Sequence, residues 1–177
     1  METITFNKLL LKTSFCCMAS DGHIDKREIA LIHSMCEDSS YFKDFNFKDE
    51  INQLITKINT RGKEFIQYYF DLLNEAELTE EEELTLIDFA IQTINSDEKV
   101  EYAEIKFFKN IRHRLKISDE KILSQYPDIE MYLEDDIVTE SFLDRITKQY
   151  LESAELPQFD FISIDNISDN SANIDSK

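Results

Sequence analysis

Apolar side chains recur along this chain at three- and four-residue intervals, the spacing of one helix face. Phe6, Leu9, Leu10, Thr13 and Cys17 form a first stripe, and Ile29, Ile32, Met35 and Cys36 form a second after a break at Ser20-Asp21-Gly22. A third stripe, Phe47, Ile51, Leu54, Ile55 and Ile58, ends near Arg61-Gly62, where glycine suits a helix C-terminus. Phe65, Tyr69, Leu72, Leu73 and Ala76 predict a fourth helix, and Leu84, Ile87, Ile91 and Ile94 a fifth. A sixth begins near Glu101 and carries Phe107, Ile111 and Leu115; Arg112, His113, Arg114 and Lys116 at its end complement the helix dipole. Beyond Ser118 a short helix to Gln125, a boundary at Pro127 and a last helix opening at Thr139, with Val138, Phe142, Ile146 and Tyr150, complete the pattern. Two starts carry capping-box spacing, Asp25 with Glu28 and Thr79 with Glu82. The acid run Glu80 to Glu83 reads as a solvated first turn. The expected fold is all-α, a compact bundle of seven to eight helices.

Composition narrows the function. The 177 residues carry 37 Asp plus Glu against 19 Lys plus Arg, a formal charge of −18, with 2 Gly, 2 Pro and no Trp. An apolar content of 42% supports a core. The charge opposes nonspecific nucleic-acid binding, because a phosphate backbone is repelled. Scarce glycine argues against phosphate-cradling loops. No apolar run approaches the roughly 20 residues of a membrane span, so no direct membrane insertion is expected. Cys16, Cys17 and Cys36 are odd in number and form no CxxC, and read as reduced, buried thiols of a cytoplasmic protein. His33 and Glu37 stand four apart on one helix, a spacing open to ligation but more ordinary for two polar side chains facing solvent. Phe107 and Phe108 cannot both face one core, which leaves one for a partner, the tail or the C-terminal extension.

An internal repeat is the most informative feature. Ser20-Asp21-Gly22-His23-Ile24-Asp25-Lys26-Arg27-Glu28-Ile29 aligns with Ser96-Asp97-Glu98-Lys99-Val100-Glu101-Tyr102-Ala103-Glu104-Ile105 at a constant offset of 76. The flanks agree: Phe15 faces Ile91, Met18 faces Ile94, and Leu31 and Ile32 face Phe107 and Phe108. Each copy is an apolar helix, a tight acidic turn and a capped second helix, so the hairpin is internally duplicated. Asp21, Asp25 and Glu28 in one copy, and Asp97, Glu101 and Glu104 in the other, converge at a helix start. Such carboxylates either satisfy the free backbone N–H groups there or ligate a hard divalent cation. With Gly22 at the sixth position of a calcium loop, Asp21, Ile24, Asp25 and Glu28 take the fifth, eighth, ninth and twelfth. The first and third then fall on Cys17 and Ala19, which supply no side-chain oxygen. Neither copy is a complete EF-hand; two facing copies could pool six carboxylates.

The duplicated Ser-Asp-Gly-x-Ile-Asp-x-x-Glu pattern resembles the tellurite-resistance protein B family, TerB, whose usual motif is Ala-Asp-Gly, an apolar residue two places on and a Glu four after that. The resemblance covers about residues 4–40 and 78–117. Ser20 stands in place of the usual Ala, and Asn95-Ser96-Asp97-Glu98 lacks the glycine. The resemblance implies a compact all-helical, non-enzymatic domain over residues 1–125, tied to stress responses such as tellurite resistance and phage defence. It implies metal binding or membrane-associated complexes, with a calcium, magnesium or manganese ion at Asp21, Asp25, Glu28, Asp97, Glu101 and Glu104.

Residues 126–156 read as a helical extension packed on that domain, and residues 157–177 as an acidic, disordered tail. Within the tail, Phe159, Phe161, Ile162 and Ile164 could add to a partner as a strand, dock in a partner's groove or pack on the chain's own surface. The leading function is an interaction module for a protein partner, a second copy of the chain among the candidates, with a weak cation site at its paired turns. The alternative is an acidic nucleic-acid mimic that blocks a DNA-binding protein.

Overall fold

The computed structural model describes residues 4–43, 45–96, 100, 102–133, 140–153 and 155–161. Nine α-helices and no strand occur among the described residues. They are α1 (Phe6–Met18), α2 (Lys26–Asp38), α3 (Phe47–Arg61), α4 (Lys63–Glu75), α5 (Glu80–Ile94), α6 (Tyr102–Arg112), α7 (Asp119–Gln125), α8 (Glu130–Leu133) and α9 (Glu140–Ser153). Short 3-10 turns cover Ala19–Asp21, Ser40–Phe42 and Pro127–Ile129. No helix among the described residues is long and apolar enough to cross a membrane.

Local chemistry sets the helix starts. Asp25 Oδ1 accepts the Arg27 amide at 2.7 Å, and Glu28 Oε2 accepts the Asp25 amide at 2.7 Å, closing a capping box. Thr79 and Glu82 close a second one, and Ser118 caps α7 through the Lys121 amide. At the end of α3, Gly62 turns the chain at φ +54°, a conformation that costs other residues about 1–2 kcal/mol.

Helix α1 is the hub. It packs most extensively against α5 and also meets α2, α3, α4 and α6. Every residue from Leu9 to Met18 is buried, so α1 is enclosed on all sides rather than along the single stripe expected of it. Enclosure includes Lys12, whose ammonium lies 5.6 Å from the Phe65 ring centroid and 5.9 Å from that of Tyr68. Burial holds its pKa below the ordinary lysine value. Cys16 and Cys36 are pushed up to about 12 by burial, and Cys17 well up, so all three are free but inert thiols.

The face of α4 is rotated from its expected stripe: Ile66 and Phe70 are fully buried, while Leu72 and Ala76 are only half-buried. A stripe admits a neighbouring residue when partners flank the helix, and Phe70 sits between Tyr69 and Phe107 with centroids 5.6 and 5.2 Å away. Both Phe107 and Phe108 are wholly buried. Phe107 stacks on Tyr69 and meets Tyr150 of α9 edge-on, while Phe108 meets Tyr132 of α8. The C-terminal extension therefore supplies a second surface for α6.

Glu83 is not solvated. Its Oε2 accepts the amides of Lys116 at 2.9 Å and Ile117 at 2.6 Å, tying the loop after α6 to the start of α5. Arg114 closes the other side of that loop. It donates to the Asn110 carbonyl at 2.6 Å in the last turn of α6 and to Thr147 of α9 at 3.1 Å, and lies over the Phe70 ring at 4.3 Å. Arg112 pairs with Asp119 at 2.5 Å. The basic cluster thus meets helix-end carbonyls and neighbouring helices together.

Candidate functional site

The two hairpins, α1–α2 and α5–α6, pack against each other: α1 lies on α5, α2 touches α5, and the turn after α1 touches α6. Equivalent positions play equivalent roles. Met18 and Ile94 are fully buried, as are Ile32 and Phe108. The ninth position of both copies, Glu28 and Glu104, is also buried, 8% and 4% exposed. Two carboxylates inside an acidic protein are the feature that composition alone does not foresee.

Of the six expected site residues, Asp21, Asp25, Glu28 and Glu104 are described; Asp97 and Glu101 lie outside the described residues. Asp21 is exposed on the turn, and its Oδ1 accepts the His23 amide at 2.8 Å. Asp25 is half-buried, and its pKa is lowered chiefly by the Arg27 amide. Glu28 behaves oppositely. Burial pushes its carboxyl up to about 8, the Asp25 amide pulls back, and the charges of Asp21, Glu104 and Asp25 push it further up. The first acidic turn and α6 of the second hairpin therefore share one electrostatic junction. It opens to a depression of about 190 Å³ lined by Asp21, His23, Asp25, Arg27, Glu28 and, from the second hairpin, Ser96.

Asp21, Asp25 and Glu28 each spend one oxygen on a backbone amide, the work expected of caps. Their donor chemistry is that of a hard-cation site. Among the described residues, however, no group of three or more His, Cys, Asp or Glu side chains is arranged to hold a metal ion. His33 lies against Phe47, centroids 4.7 Å apart, with its Nδ1 3.8 Å from Glu37.

The sequence reading missed what covers the turn. Gly22 adopts φ +85°, and a Cβ there would lie 3.2 Å from the Glu155 carbonyl oxygen and 3.3 Å from Pro157 Cδ. Glycine serves both the left-handed turn and the close approach of residues 155–157. Tyr150 in α9 adds a hydroxyl donated to the Ser20 carbonyl at 3.4 Å.

No protein-family model matches this chain, and neither a curated protein nor a solved structure matches it significantly.

Proposed function

We propose that this chain is a non-catalytic, TerB-like protein-interaction module of a stress or defence response, with a charge-regulated acidic junction between its two hairpins. The observation that supports the charged junction is the burial of Glu28 beside the acids of its own turn and Glu104 of the second hairpin, which push its carboxyl up to about 8. Ionising a carboxylate placed so carries a charge penalty, which either a proton or a divalent cation would relieve. At lower pH the proton suffices. At higher pH a calcium, magnesium or manganese ion shared with the second turn, through Asp97 and Glu101, would take its place. The ion supplies positive charge to the junction when bound; the residues of this chain cap α2, hold the turn and carry the partner surface.

Calorimetric titration with calcium, magnesium and manganese tests the cation, beside a variant carrying Asp21→Asn, Asp25→Asn, Asp97→Asn and Glu101→Gln. Asn remains a good N-cap, so the variant removes charge more than structure. Saturable binding that the variant loses supports the proposal. Heat traces without saturation in the native chain would leave proton uptake as the only regulation and overturn the cation site.

A further inference from the structure

A C-terminal strap, residues 155–161, is pinned to α3 by side-chain and main-chain hydrogen bonds. Residues 155–161 form neither helix nor strand. Phe159 is buried, and its main chain is read at both ends by one side chain in the last turns of α3. Asn59 Nδ2 donates to the Phe159 carbonyl at 2.8 Å, and the Phe159 amide donates to Asn59 Oδ1 at 2.8 Å. Gln158 Nε2 also donates to the Asn59 carbonyl at 3.2 Å, one of the carbonyls the end of α3 leaves unpaired. Gln158 and Asp160 are exposed, and Phe161 stands 67% exposed. One aromatic anchor plus an amide that pairs with both main-chain groups of the anchoring residue is how proteins recognise extended peptides, because backbone pairing sets the register and one pocket sets the preference.

We propose that the α3 surface around Asn59 is a binding site for an extended peptide of a partner protein, an aromatic residue flanked by polar ones, and that the free chain keeps it closed with its own residues 157–161. The strap is an intramolecular ligand, and the partner's segment displaces it. Displacement also lifts Glu155 and Pro157 from Gly22 in the first acidic turn. The proposal shares with the functional reading only the existence of a protein partner. Peptide binding here needs no cation, so the two fail separately.

The probe is a fluorescent peptide with the sequence of residues 155–161, measured by anisotropy against full-length chains without divalent ions. The native chain is expected to bind it at least about ten-fold more weakly than Phe159→Ala, whose strap no longer competes. Adding Asn59→Ala to Phe159→Ala is expected to abolish binding. Equal affinity for the native chain and Phe159→Ala, or no binding by a Phe159→Ala chain with native circular dichroism, overturns the proposal. Should Phe159→Ala not fold, hydrogen exchange of the native chain decides. A Phe159 amide exchanging about a hundred-fold or more faster than the α1 core supports a dissociable strap, and exchange only through global unfolding overturns it. Concentration-dependent dimerisation of the native chain that Phe159→Ala removes would make a second copy the occupant and overturn the partner reading.

Discussion

Replacing Glu28 by Gln removes the charge at the hairpin junction and keeps an oxygen for the Asp25 amide. The sign follows from proton counting. Burial raises the folded carboxyl from its ordinary 4.5 to about 8, so the folded chain binds a proton that the unfolded chain has lost. The stabilisation from that proton is fully present below about pH 4.5 and is lost as pH rises through 8. Between pH 6 and 8.5 the loss integrates to about 2.5 kcal/mol before screening. The adjoining depression admits water and salt, and a discount of about half leaves roughly 1–1.5 kcal/mol.

The assay is urea denaturation of the native chain and Glu28→Gln at both pH values and low ionic strength. Urea is preferred because guanidinium is itself a screening salt. The native chain is expected to lose roughly 1–1.5 kcal/mol more than the variant between the two conditions. Other titrating groups, including the buried cysteines that begin to ionise on unfolding near pH 9, are common to both chains and cancel in the difference. Parallel pH profiles would refute the reasoning, since they would mean that Glu28 titrates at its ordinary value and that the burial of the junction imposes no charge penalty.

Glu83→Ala strands the buried amide of Ile117 and the partly buried amide of Lys116, and is expected to cost about 3 kcal/mol in chemical denaturation, with Glu83→Gln costing roughly a third of that. Gly22→Ala must hold φ +85° with its Cβ against the Glu155 carbonyl; a loss of about 1–2 kcal/mol is expected, together with faster hydrogen exchange at Phe159. Phe108→Ala opens a cavity between α6 and α8 and is expected to lower stability by about 3–5 kcal/mol, read from thermal unfolding. Lys12→Met exchanges a desolvated ammonium for an apolar chain of similar length and is expected to raise the melting temperature; a fall would mean that the rings of Phe65 and Tyr68 hold the cation at a net gain.

What was legible in the sequence was short-range. Helix starts at Asp25, Thr79 and Ser118 are set by a side chain and an amide two or three residues away, and such signals stand side by side in the chain. The all-helical class followed from periodicity, and the duplicated hairpin from a constant offset between Ser20 and Ser96. What escaped was set by distant partners. Glu83 looked solvated because the amides that bury it lie in the loop after α6. The face of α4 was misjudged because periodicity names one stripe, whereas Phe70 turns to meet Phe107; on α6 the expected stripe is buried, and Phe108 reaches the extension at Tyr132. For the candidate site, the residues were legible and their environment was not. Asp25 and Glu28 read alike as acids at a helix start, yet burial divides them, one held below the ordinary carboxyl range and one far above it. Phe159 left three readings open, and Asn59 decides for the chain's own surface; residues 162–177 of the expected tail lie outside the described residues.

The acidic junction and the strap are two faces of one turn, and this ties their behaviour together. Ser20 and Gly22 carry Tyr150 and residues 155–157 on the outside, while Asp21 and Asp25 face Glu28 and the depression within. Glu28 is held up mainly by lack of water. Any displacement of the strap that lets water reach the turn lowers the cost of ionising it. Linkage then runs both ways: ionisation of Glu28 favours the uncovered turn by the same free energy with which uncovering favours ionisation. If lifting the strap from Gly22 lets more water reach Glu28, a partner peptide at Asn59 and the charge state at Glu28 are coupled through that turn without a contact between them. The size of the coupling is bounded by the roughly 1–1.5 kcal/mol at stake in the charge, about a ten-fold change in affinity. That is enough to grade binding with pH or cation supply, and too little to make it all-or-none.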